Sequence, residues 1–108
     1  MNPHIEIDRT TNVAYFDVED AAEDAVIRVQ SVSEVLGLKS EILARFDIKN
    51  KKFLGLVIED YKAFSREIRI KYLAFRVERL IDLLMYRVRS AFTIESSSHG
   101  SHLLLITR

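Results

Sequence analysis

Apolar and polar residues alternate with a period of two through much of residues 5–58, and the pattern turns helical beyond Tyr61. The clearest alternation runs from Glu41 to Ile48, where Ile42, Ala44, Phe46 and Ile48 interleave with Glu41, Arg45 and Asp47. Lys49-Asn50-Lys51-Lys52 supplies a polar turn, and Phe53 to Ile58 a second β-rich run, so this stretch predicts a hairpin. Gly55 lies inside the second run. A glycine there marks a bulge or a close backbone approach. Leu54, Leu56 and Ile58 are expected on one face and Phe53 and Val57 on the other, as in a central strand.

Three shorter strands precede the hairpin. Ile5 and Ile7 alternate with Glu6 and Asp8, and the residues Asp8 to Asn12 are turn formers. Val13 to Val18 follows, with Ala14, Phe16 and Val18 on one face. An acidic turn over 17–24 leads to a third strand from Ala25 to Val29. Ser33-Glu34-Val35-Leu36-Gly37 reads as one helical turn, capped by Ser33 and stopped by Gly37.

From Tyr61 to about Arg89 there is neither Gly nor Pro, and strong helix formers dominate. The spacing predicts one long helix, roughly 40 Å at about 1.5 Å per residue. At 100° per residue its apolar positions fall on two sides. Ala63, Ile70, Val77, Ile81 and Val88 share one, and Tyr61, Ile68, Tyr72, Phe75 and Tyr86 the other. One side can cover the sheet, and the second then needs a partner. Ile70, Tyr72, Phe75, Val77, Ile81 and Leu84 are the candidate interface. Lys62, Arg66, Arg69, Arg76 and Arg87 form a basic line between the two sides, suited to phosphates. Leu73, Leu80 and Leu84 share that line, so arginine stems flanking a packing surface are the competing reading. The tail, residues 91–108, holds two β-prone runs around Ser96-Ser97-Ser98-His99-Gly100-Ser101, a strand or second hairpin.

Composition adds bounds. The 108 residues suit a single domain, with a β region over 1–60, a helix over 61–90 and a β-prone tail. An apolar fraction of 48% allows one modest core. Cysteine is absent, which excludes disulfides, thiolate metal sites and a cysteine nucleophile, and fits a cytoplasmic setting. The first residues lack the basic and apolar regions of a signal peptide. No apolar run approaches the roughly 20 residues that span a bilayer, so no membrane partner is expected. Charge balances at 16 basic and 16 acidic residues, yet 1–60 carries a net −5 and 61–90 a net +5. The halves either attract each other or leave a basic face for an acidic partner.

Catalytic chemistry finds little support. Asp17, Glu19, Asp20, Glu23 and Asp24 cluster, but their spacing does not match a calcium-binding EF-hand loop. His99 and His102 are three apart, and zinc needs about three or four ligands. No Gly-x-Ser-x-Gly elbow, Walker loop or Gly-x-Gly-x-x-Gly motif occurs. No enzyme, cofactor or metal is therefore expected.

Residues 5–62 resemble the small prokaryotic family catalogued as domain of unknown function 2283. The resemblance is carried by Asn12-Val13-Ala14-Tyr15-Phe16 and by the hairpin from Phe46 to Glu59, with Gly55 and Glu59 as landmarks. Asn50 stands near the turn position where positive φ is tolerated. Ile48 and Lys51 depart from the family's acidic and glycine turn positions. The resemblance implies a small curved sheet followed by a helix, no known reaction, and partnership with small toxin-like proteins. The expected fold is α+β: a five-stranded, mostly antiparallel meander on one long C-terminal helix, with a strand or hairpin after it. The expected function is a non-enzymatic interaction module that binds itself or another protein through helix and tail, in the manner of an antitoxin. The alternative is a nucleic-acid-binding protein using the basic line.

Overall fold

The computed structural model describes residues 4–73, 77–96 and 103–107, with the backbone alone at 77–78, 95–96 and 103–107. The fold is α+β. Strands β1 (His4–Asp8), β2 (Val13–Asp17), β3 (Ile27–Ser31), β4 (Ile42–Asp47) and β5 (Lys52–Ile58) form one antiparallel sheet. Helix α1 (Ser33–Leu36) interrupts the strand order, and α2 (Tyr61–Tyr72) and α3 (Val77–Ala91) follow it. Strands β6 (Phe92–Ser96) and β7 (Leu103–Thr107) pair as a C-terminal hairpin.

The sheet order is β1-β2-β5-β4-β3, which corrects the expected meander. The chain leaves β2 and crosses to the far edge before β3, so β5 later enters the middle of the sheet. Electrostatics and one buried carboxylate hold that crossing. The acidic loop wraps the β4–β5 turn, with Glu19 on Lys52 at 2.8 Å and Asp24 on Lys49 at 3.0 Å. These pairs are half exposed, so solvent screens them and they orient the loop more than they stabilise it. Asp47 sits beneath them, 1% exposed. Its Oδ1 accepts the N–H of Val26, Lys49 and Asn50, and its Oδ2 accepts Asn50 Nδ2 at 2.6 Å. Burial pushes the Asp47 carboxyl up, but these donors outweigh it and hold it below the usual carboxylate range. The positive φ of the turn falls on Lys51 (57°), not on Asn50, whose side chain is bound to Asp47.

Gly55 explains the centre of the sheet. Gly55 has φ 154°, which would aim a Cβ into the Phe16 carbonyl oxygen and to 2.9 Å from Asp17 Cα, so no side chain fits there against β2. The β4–β5 register slips at this point: Arg45 faces Gly55, while Phe46 faces Phe53. Leu54 is the extra residue of a bulge, and its carbonyl accepts Val18 N–H at 2.8 Å. The bulge reverses the alternation. Phe53 therefore joins Leu56 and Ile58 in the core, against the expectation that it faces away, and Leu54 turns from that cluster. Above the bare Gly55, Arg45 reaches across to Asp17 at 3.5 Å.

The helical region is two helices, not one. Leu73 ends α2 with φ 52° and ψ −133°, outside helical geometry. The break resets the angular phase, so stripes projected along one continuous helix do not hold across it. On α2 the core residues are Phe64 and Ile68, one turn apart. On α3 they are Leu80, Ile81, Leu84, Met85 and Val88, a separate amphipathic stripe. Helix α3 touches α1, α2, β5 and β6, and its stripe and the inner face of the sheet belong to one hydrophobic core. Phe92 extends the core beyond α3, with its ring centroid 5.4 Å from that of Phe46. At α1 the N-cap is Val32 rather than Ser33, whose hydroxyl instead donates to the Ser40 carbonyl and accepts Ile42 N–H. Gly37 does end that turn, at φ 67°.

Replacing Gly55 with Ala is expected to destabilise the protein by about 3 kcal/mol, because the methyl group must push two backbones apart. Urea unfolding measures this, and an unchanged midpoint would contradict the close approach.

Candidate interaction surface

Helix α2 is positioned by side chains from far away in sequence. Asp60 caps it by accepting Ala63 N–H at 3.1 Å. Asn12, in the β1–β2 turn at φ 59°, accepts Tyr61 N–H on its carbonyl and Lys62 N–H on Oδ1, and donates Nδ2 to Asp60 at 2.7 Å. The Phe64 N–H bonds the Asp60 carbonyl. The first turn is thus satisfied internally, which leaves no donors for an anion at the helix start.

One turn further on, Glu67 accepts three bonds from the loop before β4: Lys39 N–H at 2.6 Å, Ser40 N–H at 2.9 Å and the Ser40 hydroxyl at 2.7 Å. Burial pushes the Glu67 carboxyl up, but these donors and nearby Lys71 outweigh it and hold its pKa below the usual carboxylate range. Lys71 itself donates to the Gly37 carbonyl at 2.7 Å. Two charged groups on one side of α2 therefore bind loop backbone, and the opposite side turns outward.

That outward side carries Lys62, Arg66, Arg69 and Ile70, all exposed, around a shallow depression also lined by Tyr61 and Ser65. Ile70 is 72% exposed and Leu73, just past the helix end, 76%. On α3, Leu83 and Tyr86 are exposed, Tyr86 at 67%. Arg87 is exposed on the same helix. Among the described residues, Lys62, Arg66, Arg69 and Arg87 make no salt bridge, whereas Lys49 and Lys52 of the hairpin are held by the acidic loop. The charge asymmetry along the chain is thus not neutralised by ion pairs between its halves among those residues.

The structure sorts the candidate interface residues unevenly. Ile81 and Leu84 are fully buried in the chain's own core and leave the candidate surface, a correction that follows from the break at Leu73. Ile70 is open to solvent. Tyr72 is half buried, and its buried hydroxyl finds no partner among the described residues. Phe75 and Arg76 lie outside the described residues, as do the side chain of Val77 and the histidines His99 and His102. Tyr86, expected on the second apolar side but not in the candidate interface, is exposed, as are Leu73, expected on the basic line, and Leu83, which no stripe singled out. No carboxylate and histidine group among the described residues has the arrangement to hold a metal ion. Among them, no helix is long and apolar enough to cross a membrane.

Neither a protein-family model, a curated protein nor a solved structure matches this chain. The geometry defines its class no further than an α+β domain with a five-stranded antiparallel sheet.

The Glu67 clamp makes stability pH-dependent. Its folded pKa lies below the unfolded value, so the stabilisation is complete above the ordinary carboxylate range and is lost as pH falls through the folded value. Glu67→Gln is expected to lose about 1–2 kcal/mol near neutral pH and to flatten the acid limb of a plot of unfolding free energy against pH. An acid limb identical to the wild type would remove this role.

Proposed function

We propose that this chain is a non-enzymatic, cytoplasmic interaction module that holds a protein partner on the outward side of its helices. The partner is a second copy or a small neighbouring protein bound in the manner of an antitoxin. The observation that carries this reading is the exposure of Ile70 and Tyr86, at 72% and 67%, on helices whose other sides are buried, and of Leu73, at 76%, just past the end of α2. Ile70 shares a depression with Lys62, Arg66 and Arg69, and large exposed apolar side chains rimmed by charge favour docking over solvation. The resemblance of residues 5–62 to a family associated with toxin-like partners supports the same reading.

The chain has no cysteine, so Ile70→Cys reports on this face alone. Its thiol reactivity is expected to fall as protein concentration rises or when the product of an adjacent gene is added. Ile70→Glu combined with Leu73→Glu is expected to weaken association at this face by on the order of tenfold or more. Reactivity unchanged under both conditions would sink the proposal.

A second reading is favoured by the absence of salt bridges at Lys62, Arg66, Arg69 and Arg87 among the described residues. Lys62, Arg66 and Arg69, gathered on the outward side of α2, would meet a phosphate backbone, with Arg87 a further exposed cation on α3. Retention of DNA or RNA should then fall with salt, with a log–log slope of roughly 0.7–0.9 per phosphate neutralised. Arg66→Glu with Arg69→Glu should abolish it. Retention that does not respond to salt would eliminate this reading.

A further inference from the structure

We propose that β3 is a self-complementary edge through which two copies of this chain join their sheets, independently of the helical face. Among the described residues β3 pairs only with β4, and all five of its residues are exposed. Two bonds fix which of its backbone groups are free. Val32 N–H bonds the Ile42 carbonyl, and Ile48 N–H bonds the Val26 carbonyl. In an antiparallel ladder such pairs alternate, so residues 26, 28, 30 and 32 are turned toward β4. The N–H and C=O of Ile27, Val29 and Ser31 then point away from the sheet. Among the described residues, this free edge carries a local bond: Gln30 Nε2 donates to the Ser31 carbonyl at 3.3 Å, from an exposed side chain that can swing aside.

A twofold axis at Val29 matches these free groups to themselves. Val29 faces Val29 of the second copy, and Ile27 faces Ser31 on either side, for about six backbone hydrogen bonds. Ile27 and Val29 lie on the sheet face away from the helices, with Leu43 and Arg45 of β4, and both are partly exposed, at 40% and 50%. Pairing brings these β-branched residues together across the axis. On the other face Arg28 meets Gln30, an amide that can accept from guanidinium, so no like charges oppose one another. The other edge of the sheet does not offer this. Strand β1 carries Glu6 and Asp8, and antiparallel self-pairing centred on Glu6, Ile7 or Asp8 sets carboxylate against carboxylate. Acidic side chains of this kind protect an edge, and the occupant of β3 is accordingly a second copy presenting its own β3, which closes the pair.

The register supplies the test. Arg28 of one copy and Gln30 of the other form a non-hydrogen-bonded pair, with Cα atoms about 4.5 Å apart, inside the disulfide range of about 4.4–6.8 Å. In a chain without cysteine, mixed Arg28→Cys and Gln30→Cys proteins are expected to form a disulfide heterodimer under mild oxidation far faster than either alone. Val29→Pro removes an N–H that the β3–β4 ladder does not use, and light scattering across concentration should show dimer dissociation at least about tenfold weaker, with circular dichroism unchanged. In the Ile70→Glu, Leu73→Glu background the dimer should persist. A monomer at all concentrations, or cross-linking of the mixture no faster than of each variant alone, overturns the proposal. Loss of the dimer in the helix-face variant but not in Val29→Pro overturns it while leaving the helical reading standing. Growth beyond a dimer through mixed β1–β3 edges overturns it as well.

Discussion

No side chain has room at position 55, and much of the molecule follows from that. The carbonyl of Phe16 occupies the space where a Cβ would stand, so the central strand and β2 pack backbone against backbone. The extra residue at Leu54 relieves the register and turns Phe53 inward. Phe53 then packs against Phe46, their tilted rings 5.5 Å apart between centroids, and Arg89 of α3 lies over its ring. One glycine thereby connects the pairing of the sheet to the seating of the last helix. On the opposite face the same gap lets Arg45 and Asp17 meet above the strand that separates them.

The polar residues solve a different problem, which is to fix segments that apolar packing alone leaves adjustable. Asp47 ties the crossing loop to the hairpin turn through four donors. Asn12 and Asp60 hold the start of α2, and Glu67 holds its middle to the loop before β4. Each is a carboxylate or amide that gathers backbone N–H groups, so each specifies direction as well as proximity. With its inner side committed to these contacts, α2 presents cations and Ile70 outward. The proposed functional surface is thus what remains once structural bonds have claimed the rest of the helix.

The hydrophobic pattern by itself determined the elements: strands near residues 5, 13, 27, 42 and 53, helix beyond Tyr61 and a β-prone tail. Side chains alternate along a strand and recur by turns along a helix whatever the strand's neighbours are, so these periods survive folding. The landmark role of Gly55 was legible for the same reason, since a glycine in a strand signals close approach. Tertiary structure decided the rest. Strand order depends on where the acidic loop finds Lys49, Lys52 and Asp47, contacts between residues distant in sequence. The facing of Phe53 depends on a bulge, and one inserted residue inverts every later alternation. The break at Leu73 has no Gly or Pro to announce it, because packing of α3 back against α1 and β5 overrides a helical propensity of a few tenths of a kcal/mol per residue. That override buried Ile81 and Leu84, exposed Tyr86, and chose which apolar residues remain for a partner.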